Sequence, residues 1–349
     1  MNPAPSRIEP IFSPRLWGSW SLAPLFPEKT QLTEPLGEAW LTGVDCRVAS
    51  GPLAGKSLAA AWAQLDSTSR GSTIDAASDF PLLLKFIFPT DQLSIQVHPD
   101  DAYAERHEKS QGGRGKTEMW HIVSAEPGAQ LLAGLKPGVD KPKFLSAMES
   151  ETLEDLFVAR KVRSGETLFI PAGMPHTIGR DMVVFEVQEY SDLTYRVYDY
   201  GRLDAKGQPR ELHVQKALEV MNFGPETGGP TPALKLPADG FQRSLLAACG
   251  YFATERWEMA TASAVQTDKS HFDLLVTLSG EGAIQGPDFS CAFRSGECFL
   301  LPATLGAYRV APKSRATMVR AYVPNLSDLR SELHRVGNSD SMIAKTLFE

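Results

Sequence analysis

Cysteine is scarce in this chain of 349 residues. There are four, Cys46, Cys249, Cys291 and Cys298, and no two form a CxxC pair. That argues against a zinc ribbon or a redox motif. Long apolar runs are also missing. No stretch approaches the roughly 18 residues a membrane helix needs. Pro3, Pro5, Glu9 and Pro10 leave no room for a basic-then-apolar leader at the start. Positive charge is in deficit, with 35 Lys+Arg against 42 Asp+Glu and a net charge of -7. General nucleic-acid binding wants a basic face, so that class is disfavoured. An anionic small substrate is not, because a few local cations suffice. A cytoplasmic protein with reduced thiols is expected.

What remains is ordinary globular composition, 42% hydrophobic and 22% charged. The length suggests about two domains and a sizeable core. Helical signals are few. Ser57 to Leu65, Phe144 to Val158, Arg210 to Phe223 and a segment capped by Ser327 carry them. Most other apolar stretches are short and bounded by Gly, Pro or Asp, which predicts strands and a sandwich or barrel. Those strands are 82–88, 93–98, 118–123, 130–135, 167–170, 182–188, 274–278, 282–285, 298–301 and 316–323. Pro225 to Gly240 is rich in Pro and Gly and reads as a linker. It divides the chain into domains over 1–224 and 241–349.

The chain repeats itself. Arg163-Ser164-Gly165-Glu166 recurs as Arg294-Ser295-Gly296-Glu297, followed by ETLFIPAGMPH in one copy and ECFLLPATLGA in the other. Arg163 and Arg294, like Pro171 and Pro302, are 131 residues apart. HIVSAEPGA upstream echoes VTLSGEGA. Together these predict a duplicated β domain. His176 in the first copy aligns with Ala307 in the second, so the first is the expected active half. The second is expected to have lost its polar site and its metal ligands.

Gln96 and His98 stand two apart in LSIQVHPDD, on one face of a strand. Lys116 and Glu118 in GKTEMW repeat that spacing, and His176 follows a strand end. An amide oxygen, a carboxylate and two imidazoles are donors that zinc accepts, and they also suit non-haem iron. Polar pairs in apolar strands need partners when buried. Lys116 beside Glu118 is also compatible with a surface ion pair, and Arg196 with a salt bridge to Asp192 or Asp199. The loop Gln111 to Gly115 could approach phosphate through its N–H groups and Arg114, or serve only as a connection.

GETLFIPAGMPH fits the second cupin motif, G-x5-P-x-G-x2-H, at Gly165, Pro171, Gly173 and His176. IQVHPDD followed by GKTEMWHI resembles the first motif of type I mannose-6-phosphate isomerases. QEYSDLTYRVYDYGR resembles their stretch after the second motif, and PRLWGSW and GPLAGKSL resemble their N-terminal region more loosely. The likeness covers roughly residues 10–220 and is nearest the short bacterial branch. It implies a mainly β chain of two cupin-type jelly-roll barrels with a few short helices. It implies one zinc ion on Gln96, His98, Glu118 and His176. It puts Lys116, Arg196 and Glu186 among the catalytic residues, and Ser94, Asp192 and Arg202 toward the sugar phosphate. The implied reaction interconverts mannose 6-phosphate and fructose 6-phosphate through an enediol. Glu186 suits the base if burial raises its pKa, and Lys116 is the other candidate. An iron oxygenase and a non-enzymatic sugar-binding cupin are the competing expectations.

Overall fold

The computed structural model describes residues 3–203, 207–224 and 228–349. Two units share one strand order. In the first, a seven-stranded sheet runs Gly229–Pro230, Thr167–Ile170, Glu118–Ala125, Met182–Glu189, Leu82–Ile87, Leu36–Trp40, Ile11–Ser19. In the second the order is Ser6–Ile8, Cys298–Leu301, Asp273–Ser279, Ala316–Tyr322, Ala253–Met259, Gln242–Ala248, Leu234–Leu236. A smaller sheet faces each. The first is Tyr195–Tyr198, Ile95–Val97, His176–Thr177, Gln130–Leu135, Phe157–Lys161. The second is Ser263–Gln266, Ala307–Pro312, Glu281–Gly286, Phe289–Arg294. The strand Tyr195–Tyr198 is the addition without a counterpart.

The register carries the repeat. Glu118 stands opposite Ile170 and Asp273 opposite Leu301. The jelly-roll units expected from the sequence are thus present as facing sheets. Among the described residues no sheet closes into a barrel, as suits the double-sheet form of this architecture.

Alternation along the strands sorts residues into layers. Leu82, Leu84, Phe86, Phe185 and Val187 point outward from the first large sheet. They pack against Leu274, Val276, Leu300 and Val319 of the second, so one core joins the two units back to back. The intervening residues point into the jelly rolls. Trp120, Ile122, Leu168 and Ile170 meet Leu131 and Ala133 in the first. Trp257, Leu275 and Phe299 meet Ile284, Phe293 and Val310 in the second.

Each unit also borrows an edge. Ser6–Ile8, from the chain's beginning, pairs with Cys298–Leu301 of the second sheet. Gly229–Pro230 pairs with Leu168 and Phe169 of the first. The expected linker 225–240 therefore holds two paired strands, Gly229–Pro230 and Leu234–Leu236, because its backbone finds partners on both sheets. Residues 225–227 lie outside the described part.

Three helix expectations need trimming. The first is Leu58–Gln64 behind its Ser57 cap. The stretch 144–158 is a helix Lys141–Glu149 with Asp140 as cap, a 3-10 turn Leu153–Leu156, and then strand from Phe157. The segment expected from Arg210 is helical only over Val214–Val220, because His213 N–H donates to the Arg196 carbonyl and holds that residue outside the helix. The last helix starts two residues earlier than a Ser327 cap would put it. It runs Leu326–Arg335, because Asn325 accepts from the N–H groups of Ser327 and Asp328.

Ile8 sits fully buried in the shared core on the borrowed strand. Ile8→Ala should lower the stability of the whole chain by about 2–5 kcal/mol. Denaturant unfolding should show one transition, shifted; two transitions with only one moved would contradict a joint core.

Candidate active site

The first unit's inward positions converge on one spot. Gln96 stands at the middle of Ile95–Val97, with His98 just beyond it and Ser94 just before. His176 opens the next strand directly opposite Gln96. Glu118 opens its own strand between Ile170 and Gln188. His98, Glu118 and His176 are all buried, and their candidate ligand atoms lie within 4.8 Å of one another. His98 Nε2 is 3.6 Å from Glu118 Oε2, and His176 Nε2 is 3.3 Å from Glu118 Oε1. Metal–ligand bonds of about 2.1 Å at tetrahedral angles put ligand atoms roughly 3.4 Å apart, so both spacings suit a coordination shell.

Backbone carbonyls set the tautomers. His98 Nδ1 donates to the Leu193 carbonyl at 2.9 Å and His176 Nδ1 to the Met174 carbonyl at 2.8 Å. Both Nε2 atoms then carry lone pairs toward Glu118, the outer-shell arrangement typical of metal-binding histidines. Burial holds both imidazoles neutral, with His176 lowered to about 4 and His98 well below its ordinary value. His98 Nε2 and Glu118 Oε1 are buried without a hydrogen-bond partner, and Glu118 Oε2 is ion-paired with Lys116. Gln96 Nε2 lies 3.3 Å from His176 Nε2, and a half-turn of the amide would present Oε1 instead. A divalent cation fits this donor set, because it would satisfy atoms the protein leaves unpaired.

Charged side chains surround the carboxylate. Lys116 Nζ is 3.0 Å from Glu118 Oε2 and both residues are buried, so this is no surface pair. Lys85 Nζ lies 3.1 Å from Glu186 Oε1, and Trp120 Nε1 donates to Glu186 Oε2 at 2.9 Å. Burial works against ionising Glu186, but Lys85 and Lys116 outweigh it and keep its pKa below the ordinary value. That reverses the expectation of a raised pKa there. Burial and the Glu186 charge instead push Glu118 upward.

Above these residues opens a cavity of about 690 Å³, lined by Ser94, Gln96, Lys116, Glu186, Asp192, Arg196 and Arg202 among others. Arg196 makes no salt bridge to Asp192 or Asp199. Its Nη1 donates to the Glu211 carbonyl at 3.0 Å and its Nε has no partner. Asp192 is exposed at the rim. Arg202 is braced by Asp199, Nη2 to Oδ1 at 2.7 Å. The loop 111–115 lies apart. Arg114 pairs with Asp79, and the N–H groups of Gly113 and Gly115 donate to Glu108 and Asp101.

Sequence reasoning missed Lys85, Glu38, Arg15, Arg210 and His213, all of which line the cavity. Lys85 had a signal: it is the lone charge in LLLKFI, where a buried cation needs a partner. The others lie in segments whose pairing no local pattern announces.

Residues 7–119 match the family model for the phosphomannose isomerase type I catalytic domain, and residues 243–323 that for the mannose-6-phosphate isomerase cupin domain. A probable mannose-6-phosphate isomerase of Bacillus subtilis, GmuF, is 33% identical over 88% of this chain and 96% of its own. The chain belongs to the type I phosphomannose isomerases. ManA, a mannose-6-phosphate isomerase of the same organism, is 30% identical over 89% of this chain and 96% of its own. A crystal structure of the Bacillus subtilis mannose 6-phosphate isomerase superposes with a TM-score of 0.83 at 29% identity, covering 91% of this chain and 99% of that one.

Within this type I phosphomannose isomerase the second unit is not the emptied copy its sequence suggested. By register, the positions of Glu38, Lys85 and Glu186 are taken by Arg243, Glu255 and Arg320. Every charge is reversed. Gln96, Glu118 and His176 correspond to Gln266, Asp273 and Ala307. The charges close on themselves. Glu255 accepts from Arg243 Nε at 2.6 Å, Tyr322 OH at 2.8 Å and Trp257 Nε1 at 3.0 Å. Asp273 accepts from Arg320 Nε at 2.8 Å. Among the described residues only the first unit offers a metal-type cluster of His, Cys, Asp or Glu.

Two outcomes follow. His176→Ala should lose bound metal, measured by elemental analysis, while the fold persists. Glu189 lies beside Asp101 behind the site, and burial and Asp101 push its pKa up to about 8. Its protonated form suits the fold, so stability falls as pH rises from the ordinary value near 4.5 toward 8. Glu189→Gln should raise the melting temperature at pH 8.5 and scarcely at pH 4; equal shifts at both would contradict it.

Proposed function

We propose that this chain interconverts mannose 6-phosphate and fructose 6-phosphate, with the first unit as the catalytic domain over 1–224 and the second, over 241–349, as its packed partner. The observation that carries this reading is the buried cluster of His98, Glu118 and His176 beside a cavity that Gln96, Lys85, Lys116 and Arg196 line. Gln96, His98, Glu118 and His176 would hold a divalent cation, zinc by donor type. Such an ion supplies Lewis acidity toward the oxygens at C1 and C2.

The protein's own groups supply the rest. Isomerisation removes a proton from C2 of the aldose and returns one to C1, while a hydroxyl proton passes from O2 to O1. Glu186, held ionised between two lysines, is the proton acceptor and donor. Lys116 and Arg196 face the negative charge that develops on the enediolate oxygens. Ser94, Asp192 and Arg202 serve the substrate's phosphorylated end. The metabolic setting is the cytoplasm, where free thiols such as Cys46 and Cys298 stay reduced.

Metal-stripped protein, assayed in both directions, should be inactive and regain turnover with Zn²⁺; no zinc-restorable isomerase activity would sink the reading. Arg196→Ala should keep its metal and lose about 100-fold or more in kcat. Full activity in that variant would remove Arg196 from the mechanism.

A further inference from the structure

Four arginines line the cavity, Arg15, Arg196, Arg202 and Arg210, and they differ in what they have left to give. Arg15 is held by Glu38 at 2.7 Å. Arg202 is engaged at all three guanidinium nitrogens. Nε donates to the Asp199 carbonyl at 3.2 Å, Nη2 to Asp199 Oδ1 at 2.7 Å, and Nη1 to the Gln92 carbonyl. The exposed Asp91 stands 3.8 Å from that same Nη1. Arg210 donates Nε to Asp199 Oδ2 at 2.6 Å and Nη2 to Oδ1. Among the described residues, no protein group accepts from Arg210 Nη1.

Asp199 is therefore a shared anchor. It is 5% exposed and does not line the cavity. One carboxylate grips two guanidinium groups from behind and fixes their planes. A guanidinium already held in place loses little rotamer freedom when it takes a ligand. Arg196 lies close by, and burial together with the Arg210 and Arg202 charges lowers its pKa. Three guanidinium groups thus crowd one buried carboxylate, a charge balance that calls for an anion from the cavity side. Ser94 has no protein partner for its hydroxyl among the described residues and borders the same space.

We propose that Arg210 is the principal contact for the substrate's phosphoryl group, with Arg202 in support, and that Asp199 is the positioning residue that holds both. This rests on the sugar-phosphate reading given above. It moves the main contact from the arginine the sequence picked to one it passed over. Arg202's donors are already directed at protein acceptors, whereas Arg210 Nη1 has no acceptor among the described residues.

The test pairs steady-state kinetics on mannose 6-phosphate with calorimetric titration of inorganic phosphate, on metal-loaded full-length protein. Arg210→Met should raise KM by about 30- to 100-fold with kcat changed only a few-fold, and weaken phosphate by a similar factor. Arg202→Met should raise KM less than Arg210→Met does. Asp199→Asn should raise KM with metal content unchanged, a split that a general loss of folding would not produce. Wild-type KM and phosphate affinity in Arg210→Met, or a larger KM effect from Arg202→Met, would overturn the assignment. A wild type that binds phosphate through Arg210 yet never isomerises would leave this site standing and defeat the isomerase reading instead.

Discussion

The structure turns on one buried carboxylate. Glu118 sits fully buried at the start of a central strand, and its Oε1 has no hydrogen-bond partner. A charge so placed is costly unless something compensates it. Lys116 compensates from one side at 3.0 Å, and two neutral imidazole lone pairs point at it from the other. A cation between them would satisfy all three donors at once. Each surrounding feature serves that arrangement. The carbonyls of Leu193 and Met174 orient the rings, and Lys85 holds Glu186 ionised beside it.

The second unit shows what the same sheet does when the constraint is lifted. Its inward positions carry charges too, three of them reversed in sign, and they are matched among themselves. Glu255 and Asp273 are both hydrogen-bonded to arginines, and neither has an orphaned oxygen. A satisfied network stabilises one arrangement and offers nothing to a ligand, whereas an unsatisfied one waits for a partner. The two halves of the repeat thus differ less in polarity than in whether their polar atoms are paired.

Rigidity comes from how the halves are joined. The second large sheet takes its outer strand from the chain's beginning and the first takes its own from the connection between the units, and their apolar faces share one core. Phe348 near the end of the chain stacks on Phe169 at 3.9 Å, tying that end to the first sheet. A site whose candidate ligands come from three strands needs such a frame, because misplacement by about 1 Å degrades both coordination and catalysis.

Much of this was legible in the residues themselves. Strand positions follow from local alternation and turn chemistry, and Gln130–Leu135, Thr167–Ile170 and Cys298–Leu301 fall where the pattern puts them. The i,i+2 pairs at Gln96/His98 and Lys116/Glu118 are likewise local, since a strand's period alone puts both members on one face. The 131-residue repeat foretold two like units. What local pattern could not reach was decided by pairing across distance. Ser6–Ile8 joins a strand nearly 300 residues away, and a Pro- and Gly-rich connection turns out to supply strand edges. Lys85 meets Glu186, and Asp199 gathers Arg202 and Arg210, only because the folded sheets and loops bring them together. Charge reversal in the second unit is equally invisible in a linear alignment. It appears once strand register says which residues occupy equivalent places, because compensation of a buried charge is a property of neighbours in space.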